Sequence, residues 1–195
     1  MLGFIGKYAV LNHIQRIAQQ RSATGRSDSY PGIGGLGHLG IQFASKSGFI
    51  TAAIGRGEDK QDLALSLGAA AYIDTKKQDV VKELQKLGGA RVILATAPDA
   101  RAMGGLVDGL APGGKLVVVG ASTEPFSITS VQLLLARKSI MGWPSGTSID
   151  SEDALKFAAA SGVRPMIKTF PLERTEDAYN NMITGRVRFR SVLKM

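Results

Sequence analysis

From residue 32 onward, short apolar runs alternate with longer segments whose apolar residues return at helical spacing. Leu36 to Lys46 reads as a helix and Ile50 to Ile54 as a strand. A helix from Lys60 to Leu67, with Asp59 as its cap, ends at Gly68. Ala71 to Ile73 is a strand, Asp79 to Leu87 a helix closed by Gly88-Gly89, and Arg91 to Ala95 a strand. Asp99 opens a helix whose Met103, Leu106, Val107 and Leu110 share a face, and Pro112-Gly113-Gly114 predicts a turn. Lys115 to Val119 is almost unbroken apolar sequence, as expected of a strand covered on both faces. The pattern continues with a short helix near Ser130 to Ala136, a strand at Ser139 to Gly142 and a helix from about Ser151 to Ser161, stopped by Gly162. Met166 to Phe170 is a strand, Thr175 to Thr184 a helix capped by Gly185, and Phe189 to Leu193 a last strand. Strands and helices in regular alternation predict an α/β fold with a doubly wound parallel sheet.

The first 31 residues follow a different rule. Up to Arg26 they contain Lys7, Arg16, Arg21 and Arg26 and no acidic residue, and Phe4, Tyr8, Leu11, Ile14 and Ala18 fall on one helical face. A Ser-rich stretch follows. Two readings fit: a mitochondrial transit peptide, or a surface helix with a linker. The expected organisation is an atypical N-terminal segment, 1–31, a nucleotide-binding domain, 32–165, and a C-terminal tail, 166–195.

At the junction lies Gly32-Ile33-Gly34-Gly35-Leu36-Gly37, a G-x-G-x-x-G opening an apolar helix. This is the dinucleotide-binding pattern of a Rossmann-like sheet. The first glycine permits the tight turn, the second lets the backbone approach a pyrophosphate, and the third lets the helix pack close to the strands. The phosphates then meet N–H groups at a helix N-terminus, where the macrodipole favours negative charge. No Gly-Lys-Ser/Thr follows the glycines, which excludes a P-loop NTPase.

About 20 residues further on, where an NAD-preferring site places an acid for the ribose hydroxyls, stand Gly55, Arg56 and Gly57. A small residue leaves room for a 2′-phosphate, and a guanidinium pairs with it bidentately. Lys60 adds charge one turn on. NADP is therefore expected, with NAD kept open by Glu58 and Asp59. A methyltransferase predicts an acid at position 55, which Gly55-Arg56 contradicts.

Composition narrows the chemistry. In 195 residues there is no cysteine, so disulfides, thiolate zinc sites and cysteine nucleophiles are all excluded. The two histidines, His13 and His38, are not in a metal-ligand spacing. The net charge of +8 is spread along the chain without interleaved aromatic residues, which argues against nucleic acid and for attraction of an anionic cofactor. No apolar run is long enough to span a bilayer. The expected location is cytoplasmic, or mitochondrial if the basic N-terminal segment is a targeting signal.

Taken together, Gly32-Ile33-Gly34-Gly35-Leu36-Gly37-His38-Leu39-Gly40, Gly55-Arg56-Gly57-Glu58-Asp59-Lys60, Leu67-Gly68-Ala69-Ala70, Gly113-Gly114-Lys115-Leu116-Val117-Val118-Val119-Gly120 and Arg188-Phe189-Arg190 resemble the C-terminal part of zinc-type alcohol dehydrogenases of the medium-chain dehydrogenase/reductase superfamily. The resemblance covers Gly32 to Met195. It implies that Gly32, Gly34, Gly35, Leu36 and Gly37 hold the pyrophosphate, and that Gly55, Arg56 and Lys60 flank the adenosine ribose. It further implies that Thr96, Gly120 and Ala121 line the nicotinamide half, and that Arg190 reaches the pyrophosphate. His38 is expected to face solvent or cofactor. Residues 166–195 correspond to the tail that returns to a catalytic domain.

That domain, about 150 residues in such enzymes, supplies a Cys/His zinc site in which the metal holds the alcohol oxygen during hydride transfer. Nothing here matches it. The expectation is an NAD(P)-binding oxidoreductase domain, inactive alone and dimeric through the strand Ser139 to Gly142. The alternative is a non-enzymatic nucleotide-binding or dimerising fragment. Arg26-Ser27-Asp28-Ser29-Tyr30-Pro31 is too polar to suggest a buried strand. A sheet lacking its first strand is therefore expected, as from a shortened reading frame.

Overall fold

The computed structural model describes residues 27–31, as a strand, and residues 33–195. The expected N-terminal helix, His13 and Gly32 lie outside the described residues. Six parallel strands form one sheet in the order β3-β2-β1-β4-β5-β6. They are β1 Ser27–Pro31, β2 Ile50–Gly55, β3 Ala71–Asp74, β4 Ala90–Ala95, β5 Leu110–Val118 and β6 Ser139–Gly142. Helices α1 Gly37–Lys46, α2 Gln61–Ser66, α3 Val80–Lys86, α4 Ala100–Leu106, α5 Ser130–Leu134 and α6 Ser148–Ser161 connect or follow them. The doubly wound parallel sheet is as predicted.

The first strand is not missing. Ser27–Pro31 occupies the central position, pairing with all of Ile50–Ile54 on one side and with Val92 and Ile93 of β4 on the other. The polar composition of this stretch misleads because a ladder is made by main-chain groups. Without β1, the inner edges of β2 and β4 would bury unpaired N–H and C=O groups. A segment from the atypical N-terminal region thus completes the sheet.

Each face has its own core. Leu39, Ile41, Phe43 and Ala44 of α1, Ala64 of α2 and Ala154 and Ala158 of α6 pack with Ala53, Val92, Leu94 and Val117 on one side. Leu84 of α3 and Met103 and Leu106 of α4 pack with Ala52, Ile54, Ile73, Ile93 and Leu116 on the other. Burying each large apolar side chain contributes roughly 1.5–3 kcal/mol. Alternate residues of β2 therefore serve opposite cores, which is why that strand reads as an unbroken apolar run.

Local signals account for most boundaries. Asp79 accepts from the Val81 and Lys82 amides, and Asp99 from that of Ala102, so both predicted caps start their helices. Asp59 does not cap α2, whose N-cap is Lys60 without a side-chain bond. Helix α6 begins earlier than expected because Thr147 and Asp150 form a capping box. Pro112-Gly113-Gly114 is a bulge within β5 rather than a turn before it: Ala90 pairs with Leu110, but Val92 pairs with Lys115. Gly113, at φ +69°, takes the left-handed conformation that the bulge needs.

The tail forms a second, two-stranded parallel sheet, β7 Ile167–Pro171 with β8 Arg190–Lys194, crossed over by helix α7 Thr175–Ile183. Phe170, Ala178 and Val187 make its own small core.

Candidate dinucleotide-binding site

Because the six strands run parallel, the glycine loop after β1, the turn after β2, and the residues after β4 and β5 all lie at the carboxyl edge of one sheet. The chain reverses its direction of winding between β1 and β4. Ligands of doubly wound sheets bind in the crevice at such a point.

Within the glycine loop the residues differ in what surrounds them. Among the described residues, a Cβ added to Gly34 would meet nothing within 4 Å. A Cβ on Gly35 would lie 2.9 Å from the Arg190 guanidinium carbon. Arg190 reaches from β8 across the loop, and its Nη2 donates to the Gly35 carbonyl at 2.8 Å. The first intrahelical bonds of α1 run from His38 to Gly34 and from Gly40 to Leu36. The preceding amides lie where a helix offers donors outward, and the first turn of α1 holds no acidic residue.

His38 departs from expectation. It is fully buried, not turned to solvent or cofactor. Its Nε2 accepts the Met166 N–H at 3.1 Å, and its Nδ1 lies 2.9 Å from the Gly34 carbonyl. Those two bonds require the neutral ring protonated on Nδ1, which donates to Gly34. Phe189 packs on the ring at 4.8 Å. Burial holds the imidazole below its usual value, opposed by the Gly34 bond and reinforced by the positive charge of Arg190. His38 and Arg190 together fasten the tail to the glycine loop. Only contacts at great sequence separation reveal this role, so no local signal pointed to it.

At the end of β2 the room expected beside Gly55 is already filled. The Tyr72 hydroxyl lies 2.2 Å from where a Cβ would be, and it donates to the Gly57 carbonyl at 2.6 Å. Asp74 of β3 accepts from the Gly57 N–H at 2.6 Å and from the Lys76 N–H at 2.9 Å. The Lys76 and Gly57 amides, with the charges of Lys77 and Lys76, hold its carboxyl below the ordinary carboxylate range against the effect of burial. Arg56 points outward, exposed, from this braced turn, and Lys60 is half-buried nearby. Glu58, an alternative ribose acceptor, is paired with Lys77.

Thr96 follows β4 directly, and Gly120 and Ala121 follow β5. The Val119 and Gly120 amides both donate to the Ala95 carbonyl, at 3.0 and 2.9 Å. A Cβ at Gly120 would sit 2.6 Å from the Ala97 oxygen, so glycine lets the two strand ends close together. The structure thus gathers the described members of the predicted site along one edge: the glycine loop with Arg190, the Gly55–Gly57 turn, and the Thr96–Gly120 pair.

This combination defines a doubly wound α/β domain with a glycine loop at its carboxyl edge, and comparison with known proteins gives its family. The family model described as zinc-binding dehydrogenase matches residues 35–160. The alcohol dehydrogenase patD of Penicillium expansum is 43% identical over 164 residues, covering 84% of this chain and 48% of that protein. An alcohol dehydrogenase of Geobacillus stearothermophilus is 33% identical over 165 residues, covering 84% and 49%. The crystal structure of the alcohol dehydrogenase from Aeropyrum pernix superposes with a TM-score of 0.83 at 23% identity, covering 98% of this chain and 55% of that one. The chain belongs to the zinc-binding dehydrogenase family and corresponds to the C-terminal, nucleotide-binding part of zinc-type alcohol dehydrogenases. It spans about half the length of the curated relatives it matches.

Among the described residues the family's metal finds no fitting donors. There is no cysteine. Both ring nitrogens of His38 are engaged by the backbone. Among the described residues no group of three or more His, Asp or Glu is placed to hold a metal ion. No helix among them is long and apolar enough to cross a membrane.

Proposed function

We propose that this chain holds a nicotinamide dinucleotide along the carboxyl edge of its six-stranded sheet, preferring NADP(H) to NAD(H), as the cofactor half of an alcohol dehydrogenase-like oxidoreductase. One observation carries the reading: in front of the α1 N-terminus a Cβ on Gly34 meets none of the described residues, and the Arg190 guanidinium lies across the neighbouring Gly35. Gly34, Gly35, Leu36 and Gly37 take the pyrophosphate, with Gly32 as the turn before them. Arg56 and Lys60 flank the ribose phosphate, and Thr96, Gly120 and Ala121 the nicotinamide. The bound dinucleotide supplies hydride chemistry; the chain's own residues bind and orient it.

The preference rests on Gly55 and Arg56 standing where an NAD site has a carboxylate. A charge-assisted bond to the 2′-phosphate contributes about 1.5–3 kcal/mol, or roughly tenfold or more in affinity. In fluorescence titrations NADPH is expected to bind more tightly than NADH, and Arg56→Ala to abolish the difference. Equal affinities for the unmutated chain would sink the preference.

The 195-residue chain is expected to show no alcohol dehydrogenase turnover, with or without added zinc. A catalytic zinc takes three protein ligands and an open position. Supporting this, the sequence has no cysteine, both ring nitrogens of His38 are engaged, and the described residues hold no metal-ligating group. Assays of primary alcohols and aldehydes with both cofactors, alongside zinc stoichiometry by mass spectrometry, check this. Zinc-dependent activity that copurifies with the chain through every column overturns it.

A dimerising role has a separate support. Strand β6 is a sheet edge, and α5 and its C-cap, which lead into it, expose Val131, Leu134 and Leu135. Exposed edges and apolar patches favour pairing. We expect a two-fold homodimer through this edge. A strictly monomeric sedimentation profile at micromolar concentration would count against it.

A further inference from the structure

Strands β2 and β3 are parallel neighbours, with Ala53 opposite Tyr72 and Gly55 opposite Asp74. Side chains alternate faces along a strand, so positions 53, 55 and 72 share the α1 side of the sheet. From there the Tyr72 ring leans along the strand. Its hydroxyl lies 2.2 Å, its Cζ 2.9 Å and its Cε2 3.0 Å from the position of a Gly55 Cβ. The ring has little freedom to retreat. Its hydroxyl is bound to the Gly57 carbonyl at 2.6 Å. Gly57 is itself fixed through its N–H to Asp74, in a left-handed conformation at φ +83°. Burial, with the charges of Asp74 and Asp59, raises the Tyr72 hydroxyl above its ordinary value and keeps it a donor.

We propose that Tyr72 is a specificity-determining residue of the adenosine-ribose site: it fills the space that any side chain at position 55 needs, and so excludes the carboxylate with which an NAD-preferring site grips the ribose. The same hydroxyl holds the turn that presents Arg56. Selectivity is therefore written on two adjacent strands, and a change of cofactor requires Tyr72 to change as well as Gly55. This inference rests on the reading of the chain as a nicotinamide dinucleotide site; the steric lock itself does not.

The test combines two cycles. NADH and NADPH are titrated by fluorescence against the unmutated chain, Gly55→Asp, Tyr72→Val and the double variant. Thermal melting is followed for Gly55→Ala in the unmutated and in the Tyr72→Val background. Gly55→Asp alone is expected to gain no NADH affinity. In the Tyr72→Val background the same substitution is expected to raise NADH affinity about tenfold and to reverse the preference. Gly55→Ala is expected to lower the melting temperature only where Tyr72 is present. A gain in NADH affinity from Gly55→Asp alone, or equal melting losses in both backgrounds, overturns the proposal. If the unmutated chain prefers NADH or holds neither cofactor, the cofactor reading falls. The melting cycle then still decides the lock: a loss confined to the Tyr72 background supports it, and equal losses overturn it.

Discussion

Gly34→Val is expected to leave the fold intact and to abolish dinucleotide binding. The two effects separate because of where Gly34 faces. A Cβ there meets no atom of the described residues within 4 Å, and the backbone does not adopt the left-handed conformation that would strain a branched residue. The added atoms instead occupy the approach to the α1 N-terminus. A pyrophosphate held off by their bulk loses its short bonds to the loop amides. Charge-assisted bonds contribute about 1.5–3 kcal/mol each, so the loss of two corresponds to a hundredfold or greater fall in affinity. Melting curves should superpose on those of the unmutated chain, while fluorescence titration with NADPH shows no saturation. A Gly34→Val chain that still binds NADPH tightly would mean that the phosphates sit elsewhere. Gly35 is different: there the obstacle is the Arg190 guanidinium, already seated in the space.

His38→Leu is expected to be the most destabilising single change near the site. It removes the donor to the Gly34 carbonyl and the acceptor for the Met166 N–H. Each buried polar group left without a partner costs about 1–3 kcal/mol, so a loss of roughly 2–4 kcal/mol follows in urea unfolding. The same residue makes stability depend on pH. The folded imidazole is held below its usual value by burial, and the unfolded chain takes up its proton near pH 6.5. As pH falls below about 6.5 the unfolded state binds more protons and gains on the folded one. The His38 contribution is therefore complete above about pH 6.5 and is lost as pH falls through the folded value. His38→Leu should flatten that slope between pH 7.5 and pH 5. An unchanged slope in the variant would assign the acid sensitivity to other groups.

The parts legible in the sequence are those with local causes. Asp79 and Asp99 cap their helices because a carboxylate can satisfy amides two or three residues ahead. The apolar run at β2 marks a strand buried on both faces. The glycine loop is recognisable because its purpose forces residue types at fixed spacing. What was hidden depends on pairing across the chain. Ser27–Pro31 carries no apolar pattern, yet its main chain fits between β2 and β4. Tyr72 governs Gly55 through strand register, 17 residues away. A bulky residue beside a glycine on neighbouring strands would have been a usable clue once β2 and β3 were paired. His38 looked like one more residue after a glycine motif because its partner Met166 stands 128 positions later.

That separation has a bearing on how the molecule is made. The bonds that fasten the glycine loop arrive from Met166 and from Arg190, the latter 155 residues beyond Gly35. During synthesis the loop and its helix leave the ribosome long before either partner exists. A nascent chain halted after β6 has all six strands, but its His38 ring and Gly35 carbonyl still await these partners. The glycine loop is consequently finished only once Met166 and Arg190 have followed it, long after its own residues have been translated.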